Sequence, residues 1–257
     1  PLSEVAINQD GTKLFALTSG ESSYGLKSRL DVYEFVQGGW DKQKTIEAGG
    51  TQYSHTTESW QGLRCTADGK AVAYASLIQT SDAGEGTGNT AKLFTHQISA
   101  TSWENATAST YTTDFDFDDP STDSYWRASR YRYKFSRDLM RVVMSNHTHD
   151  RTGFLNTGLV IVAGRSSMSG SFAQSSSMYG LTAYSRIFGI SADDDGSAFL
   201  IWQAVSNTST IAKYNLQGTS LTGYSPTSLA ATAAAMNGSG SRIAYWTNSS
   251  NTLRVIE

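Results

Sequence analysis

The sequence predicts an all-β repeat protein, and three observations predict it. Apolar residues alternate with polar ones in short runs, which is the two-residue period of a half-buried strand. Turn residues punctuate those runs, most often as an Asp-Gly pair. The same strand–turn–strand pattern then recurs five times along the chain.

Composition agrees. Of 257 residues, 39% are hydrophobic and 11% aromatic, enough for a core, while only 17% are charged. The remainder is rich in Ser, Thr, Gly and Asn, which suits many turns and disfavours long solvated helices. The three prolines are too few for an extended proline-rich linker.

The first repeat is Val5 to Leu17, turning at Asp10-Gly11, and the second is Leu63 to Tyr74, turning at Asp68-Gly69. The third, Tyr133 to Met144, turns at Asp138-Leu139. The fourth, Phe188 to Trp202, carries Asp193-Asp194-Asp195-Gly196 and reads as a slightly longer turn. The fifth is Ala235 to Tyr245, with Ser239-Gly240 at the turn. A tight hairpin needs positive φ at its central positions, which Gly takes freely and Asp or Asn tolerates. From Asp10 through Asp68, Asp138 and Asp195 to Ser239 the turns are spaced by 58, 70, 57 and 44 residues. Propeller blades repeat at about 40 to 50 residues, with extra length placed in loops.

A third strand follows each hairpin: Arg29–Val36, Ala91–Ile98, Gly158–Val162, Thr210–Leu216 and Thr252–Ile256. Trp40 and Trp103 mark where a fourth, outer strand begins in the first two units. Three or four antiparallel strands, five times over, describe a β-propeller of about five blades. The expected blades are residues 1–57, 58–125, 126–182, 183–228 and 229–257, in one domain spanning 1–257. Glu257 follows directly on the fifth third-strand. The last blade therefore has three strands, or another segment or chain supplies the fourth. An open edge of that kind invites pairing with a neighbour.

The run from Val5 to Trp40 resembles the WD40-like and FG-GAP-like propeller repeats. In these an Asp-Gly hairpin precedes a strand of the Val32-Tyr33-Glu34-Phe35 type and a Gly38-Gly39-Trp40 turn. The Trp-Asp dipeptide that closes a WD40 blade is absent after the third strands, and Trp40-Asp41 lies one turn too late. What the resemblance implies is architecture.

A formal charge of −3 argues against a phosphate-backbone partner, so nucleic acid is not expected. No apolar run approaches the roughly 20 residues of a membrane span, and Pro1-Leu2-Ser3-Glu4 does not look like a signal peptide. Cys65 is the single cysteine, and its place in an alternating strand reads as a buried small hydrophobe.

Candidate chemistry is sparse. No Gly-x-Ser-x-Gly elbow is present. His147 and His149 share a strand face beside Asp150, but a third ligand is missing and no metal site is expected. Asp114, Asp116 and Asp118 start like a calcium loop, yet Asp119 and Tyr125 stand where Gly and Glu belong. Calcium in another loop geometry is the one cofactor candidate, against an insertion strand with Phe inward and Asp outward. A glycoside hydrolase needs two carboxylates about 5 to 9 Å apart. Asp31, Asp116 and Asp150 are the candidates, and no spacing singles out a pair. In Tyr125 to Lys134, cations and aromatics fall on opposite faces of a strand entering the third blade.

The leading expectation is a non-catalytic structural and recognition module on a virus particle or cell surface. Its partners would be other structural proteins, copies of itself or surface glycans. A lectin-like propeller is the alternative, with Trp60, Tyr125, Trp126 and Arg127 as ligand-binding residues; a glycoside hydrolase is the third reading. Asn-x-Ser/Thr sequons at Asn105, Asn146, Asn207, Asn237 and Asn248 allow glycosylation.

Overall fold

The computed structural model describes residues 2–18, 29–47, 58–78, 89–98, 108–117, 132–147, 158–181, 185–205, 208–217, 220–223, 231–247 and 251–257. Every regular element among them is a β-strand, and the strands form five antiparallel sheets. The first sheet holds β1 (Leu2–Ile7), β2 (Lys13–Thr18), β3 (Arg29–Val36) and β4 (Gly39–Glu47). The second holds β5 (Glu58–Cys65), β6 (Ala71–Ile78), β7 (Asn89–Ile98) and β8 (Ala108–Phe117). The third holds β9 (Arg132–Phe135), β10 (Arg141–His147), β11 (Gly158–Gly164) and β12 (Ala173–Leu181). The fourth holds β13 (Ser185–Ala192), β14 (Ala198–Val205), β15 (Thr208–Gln217) and β16 (Ser220–Gly223). The fifth has three strands, β17 (Ala231–Met236), β18 (Ile243–Thr247) and β19 (Thr252–Ile256). Within each sheet the strands follow one another in chain order, so all pairing is local.

The chain divides into two compact units, Pro1–Ser129 with Ser167–Ser171, and Arg130–Ser166 with Phe172–Glu257. In the first unit, Phe15 and Leu17 of β2 and Leu30 and Val32 of β3 share one core with Leu63, Cys65, Val72, Tyr74 and Phe94 of the second sheet. Cys65 is thus buried, as its strand position suggests. In the second unit, Val143, Val160 and Val162 of the third sheet meet Ile190, Ala192, Phe199, Ile201, Ala212 and Tyr214 of the fourth. On the fourth sheet's other side, Ala198, Leu200 and Ile211 meet Met236, Ile243 and Tyr245 of the fifth. β14 is covered on both faces, which is why Ala198-Phe199-Leu200-Ile201-Trp202 is apolar without a break.

The five turns share one frame of six residues, Asn8–Lys13, Thr66–Ala71, Ser136–Arg141, Asp193–Ala198 and Asn237–Arg242. In each, the first residue's N–H donates to the sixth residue's carbonyl at 3.0 to 3.1 Å. The first residue's side-chain oxygen accepts the sixth N–H in return, at 2.8 Å in Asn8, 3.1 Å in Thr66, 2.9 Å in Ser136, 3.0 Å in Asp193 and 2.8 Å in Asn237. In the first four turns the aspartate at position three accepts the N–H two residues on. Two expectations are corrected. These are not tight two-residue hairpins, and the positive φ is confined to one position, the fourth: Gly11, Gly69, Leu139, Gly196 and Gly240. Nor is the fourth turn longer, because Asp193 takes the place of Asn8, Thr66 and Ser136 and only the extra carboxylates made it look so.

Candidate interaction surfaces

Most of the residues singled out in the sequence for ligand binding fall outside the described residues. Tyr125, Trp126 and Arg127 do, as do Asp118, His149 and Asp150. Trp60 lies in β5, and Asp114 and Asp116 lie in β8, which is not an insertion strand but the fourth strand of the second sheet, paired along its length with β7. His147 ends β10. Among the described residues, no three His, Cys, Asp or Glu side chains gather as a metal site would require.

Asp31 is described in full. It is 3% exposed in the middle of β3. Thr45 Oγ1 donates to its Oδ1 at 2.6 Å, and Lys42 Nζ and Arg29 Nε sit 3.1 and 3.2 Å from the carboxylate. Burial pushes its carboxyl up, but Thr45, Lys42 and Arg29 outweigh that and hold it below the usual range. A carboxylate so neutralised by neighbours is suited to locking β3 to β4, the strand that carries Thr45 and Lys42. A general acid needs the opposite environment.

Two further buried polar groups brace the sheets. Tyr74 Oη and His96 Nε2 lie 2.8 Å apart with their rings stacked, and desolvation lowers the imidazole to about 4. The Arg165 guanidinium stands 4.5 Å over the Phe172 ring while its Nε donates to the Leu139 carbonyl at 3.0 Å. These contacts tie β6 to β7 and anchor the third turn.

The surface features that sequence reasoning missed are apolar. Phe35 and Trp40 face each other across the β3–β4 hairpin, 47% and 41% exposed, edge to face with centroids 5.3 Å apart. Gln37 (φ 51°) and Gly38 (φ 86°) close that hairpin with the paired positive φ of a tight I′-type turn. Val5 and Ile7 on β1 and Leu253, Val255 and Ile256 on β19 are also exposed. Their alternation in the sequence is the same as that of core strands, so no local signal separates them from buried residues.

No family model matches the chain, and no curated protein matches it. Solved structures do. A structure of hydrazine synthase from Kuenenia stuttgartiensis aligns with 98% of this chain and 70% of its own at a TM-score of 0.58 and 12% identity. The Dos1 propeller aligns with 99% of this chain at a TM-score of 0.50 and 12% identity. The fold is a β-propeller. Each sheet described above is accordingly a blade, four of four strands and one of three. TolB from Acinetobacter baumannii matches at a TM-score of 0.46 and 13% identity over all of this chain. The chain spans about half the length of two of these neighbours, 52% of TolB and 55% of the Dos1 chain.

Proposed function

We infer that this propeller is a non-catalytic protein-interaction module that acts through its sheet surfaces, displayed on a virus particle or a cell surface. The observation that carries the reading is the set of large apolar side chains left in water: Val5, Ile7, Phe35, Val36, Trp40, Leu253, Val255 and Ile256. Exposed apolar side chains that lie together, as Phe35 and Trp40 do, mark contact surfaces. Low charge and abundant Ser, Thr, Gly and Asn support a displayed, structural role, and among the described residues no helix is long and apolar enough to cross a membrane. Asp31, one of the carboxylates considered for hydrolysis, is committed to Thr45, Lys42 and Arg29.

The exposed Phe35–Trp40 pair favours a second reading, a glycan-binding propeller in which an aromatic face stacks on a sugar ring. The aromatic-rich stretch with Trp60, Tyr125, Trp126 and Arg127 belongs to that reading too. Affinity capture with the immobilised full chain tests the first, using material from its natural source. A stoichiometric protein partner supports an interaction module. Hits on a glycan array without a protein partner would replace it with the lectin, and turnover on a polysaccharide panel would replace both with a hydrolase.

A further inference from the structure

The fourth turn departs from the other four in one chemical respect. In the others, the side chain at position one gives a hydrogen to the side chain at position three. Thr66 Oγ1 donates to Asp68 Oδ1 at 2.7 Å, Ser136 Oγ to Asp138 Oδ1 at 2.6 Å and Asn237 Nδ2 to Ser239 Oγ at 3.0 Å. Asn8 does the same toward Asp10. In the fourth turn, position one is Asp193 and position three is Asp195. Their carboxyl groups meet in the same way, but an ionised Asp193 has no hydrogen to give. Its Oδ2 accepts from Ser197 Oγ at 2.8 Å and from the Ala198 N–H at 3.0 Å. Asp193 is 3% exposed, and its Oδ1 is buried with no donor within reach among the described residues. Two ionised carboxylates so placed set like charges against each other away from water.

The pair sits where the fifth blade joins the fourth. There the Asp194 N–H donates to the Gly238 carbonyl at 2.8 Å and the Met236 N–H to Ser191 Oγ at 3.1 Å. Gly240 lies directly against Asp193, since a Cβ on it would stand 3.3 Å from Oδ2. Charged groups approach from each neighbouring element. From the third turn, Arg141 places Nη1 3.5 Å from the Asp195 carbonyl, and the Arg137 N–H donates to the Asp194 carbonyl. From β15, Lys213 directs its ammonium to the Gly240 carbonyl at 2.6 Å. From the fifth turn, Arg242 gives its N–H to Asn237 Oδ1. Burial raises the Asp193 carboxyl, while hydrogen bonds from Ser197, with help from the Arg141 charge, lower that of Asp195. A proton shared by the pair therefore resides on Asp193.

We propose that the fourth turn is a proton-gated latch: in acid Asp193 takes a proton from solvent, donates it to Asp195 and holds the fifth blade to the fourth, and the latch loosens when that proton leaves. The proton supplies the hydrogen that Thr66, Ser136, Asn8 and Asn237 carry permanently. Its contribution to stability is present in full below 3.8, the ordinary carboxyl value, and is lost as pH rises through the higher folded value. The device goes beyond the interaction-module reading and does not rest on it.

Asp193→Asn tests it, because asparagine keeps the shape and supplies a permanent hydrogen, as Asn8 and Asn237 do at the same position. Melting temperatures of the full chain and the variant are compared from acid to above neutral pH. The variant's lead should be smallest below pH 3.8 and grow above it. The growth should be about 2 to 4 °C for each pH unit by which folding raises the Asp193 pKa, and then level off. Groups common to both proteins, His96 included, cancel in the difference. Amide exchange in β17 should be several-fold slower in the variant at neutral pH and equal in acid. Should the variant fail to fold, carbon NMR of the wild type reads the same pair: the Asp193 carboxyl should titrate above 3.8. A lead that does not change with pH, equal β17 exchange at neutral pH, or an Asp193 carboxyl that titrates at or below 3.8 overturns the proposal. So does added calcium that stabilises the wild type but not the variant at neutral pH, which would give the pair to a cation.

Discussion

Leu139 takes φ 60° at the fourth position of the third turn, where the other four turns place glycine. A left-handed conformation costs a residue with a Cβ about 1 to 2 kcal/mol. The side chain is fully buried, however, and truncating a buried leucine costs about 2 to 5 kcal/mol. Burial wins, so Leu139→Gly should destabilise by roughly 2 kcal/mol in urea denaturation despite relieving the backbone. A stabilised variant would mean that the strain dominates. His96 gives a pH dependence. Desolvation lowers its folded pKa to about 4 from 6.5, so the unfolded chain binds the extra proton between those values. Stability should therefore fall as pH drops from 6.5 to 4, by up to about 3 kcal/mol, and this contribution should level off below. Asp31 and Asp68, held below the usual carboxylate value of 3.8, act only in more acid solution. Burial raises the Asp193 carboxyl, which works in the opposite sense just above 3.8. In His96→Gln, which keeps a polar group for Tyr74, the melting temperature should lose its fall between pH 6.5 and 4.

At the scale of the element, the turns and one bulge show how local geometry serves packing. Position one of each turn is Asn, Thr, Ser, Asp or Asn, and each does the same work of accepting the sixth residue's N–H. Sequence reading caught the Asp-Gly pair because its chemistry repeats, and missed position one because five side chains of four kinds do one job. The β13–β14 pairing shifts register between Ile187 and Gly189, and Trp202 lies over the glycine. A Cβ on Gly189 would come within 2.1 Å of the indole. Gly189→Ala must displace a ring packed against the Ala198–Leu200 core, and a loss of about 2 to 4 kcal/mol in thermal unfolding is expected. Unchanged stability would show that Trp202 has room to move.

For the whole molecule, protection should follow how many faces of a strand are covered. β14 is packed on both sides and paired on both edges, while β19 is exposed along its length and pairs only with β18 among the described strands. In dilute solution, amide hydrogen exchange should be slowest in β14 and fastest in β19. Equal exchange in the two strands would contradict this layering.

By itself the sequence determined the first three strands of each repeat, their order and the five repeats, but not the outer strands β12 and β16. Those follow from apolar alternation and from turn residues whose preferences act within a few positions. It also pointed to Cys65 as core and to Asp10, Asp68 and Asp138 as turn residues. Tertiary structure alone decided which apolar residues stay in water. Val5 and Leu253 alternate in their strands as Leu63 and Leu30 do, but burial depends on whether another sheet lies over that face. It also decided the part played by Asp31, which in sequence is one more carboxylate in a strand. In the folded sheet Thr45, Lys42 and Arg29 converge on it, because cross-strand register brings together residues that are remote along the chain.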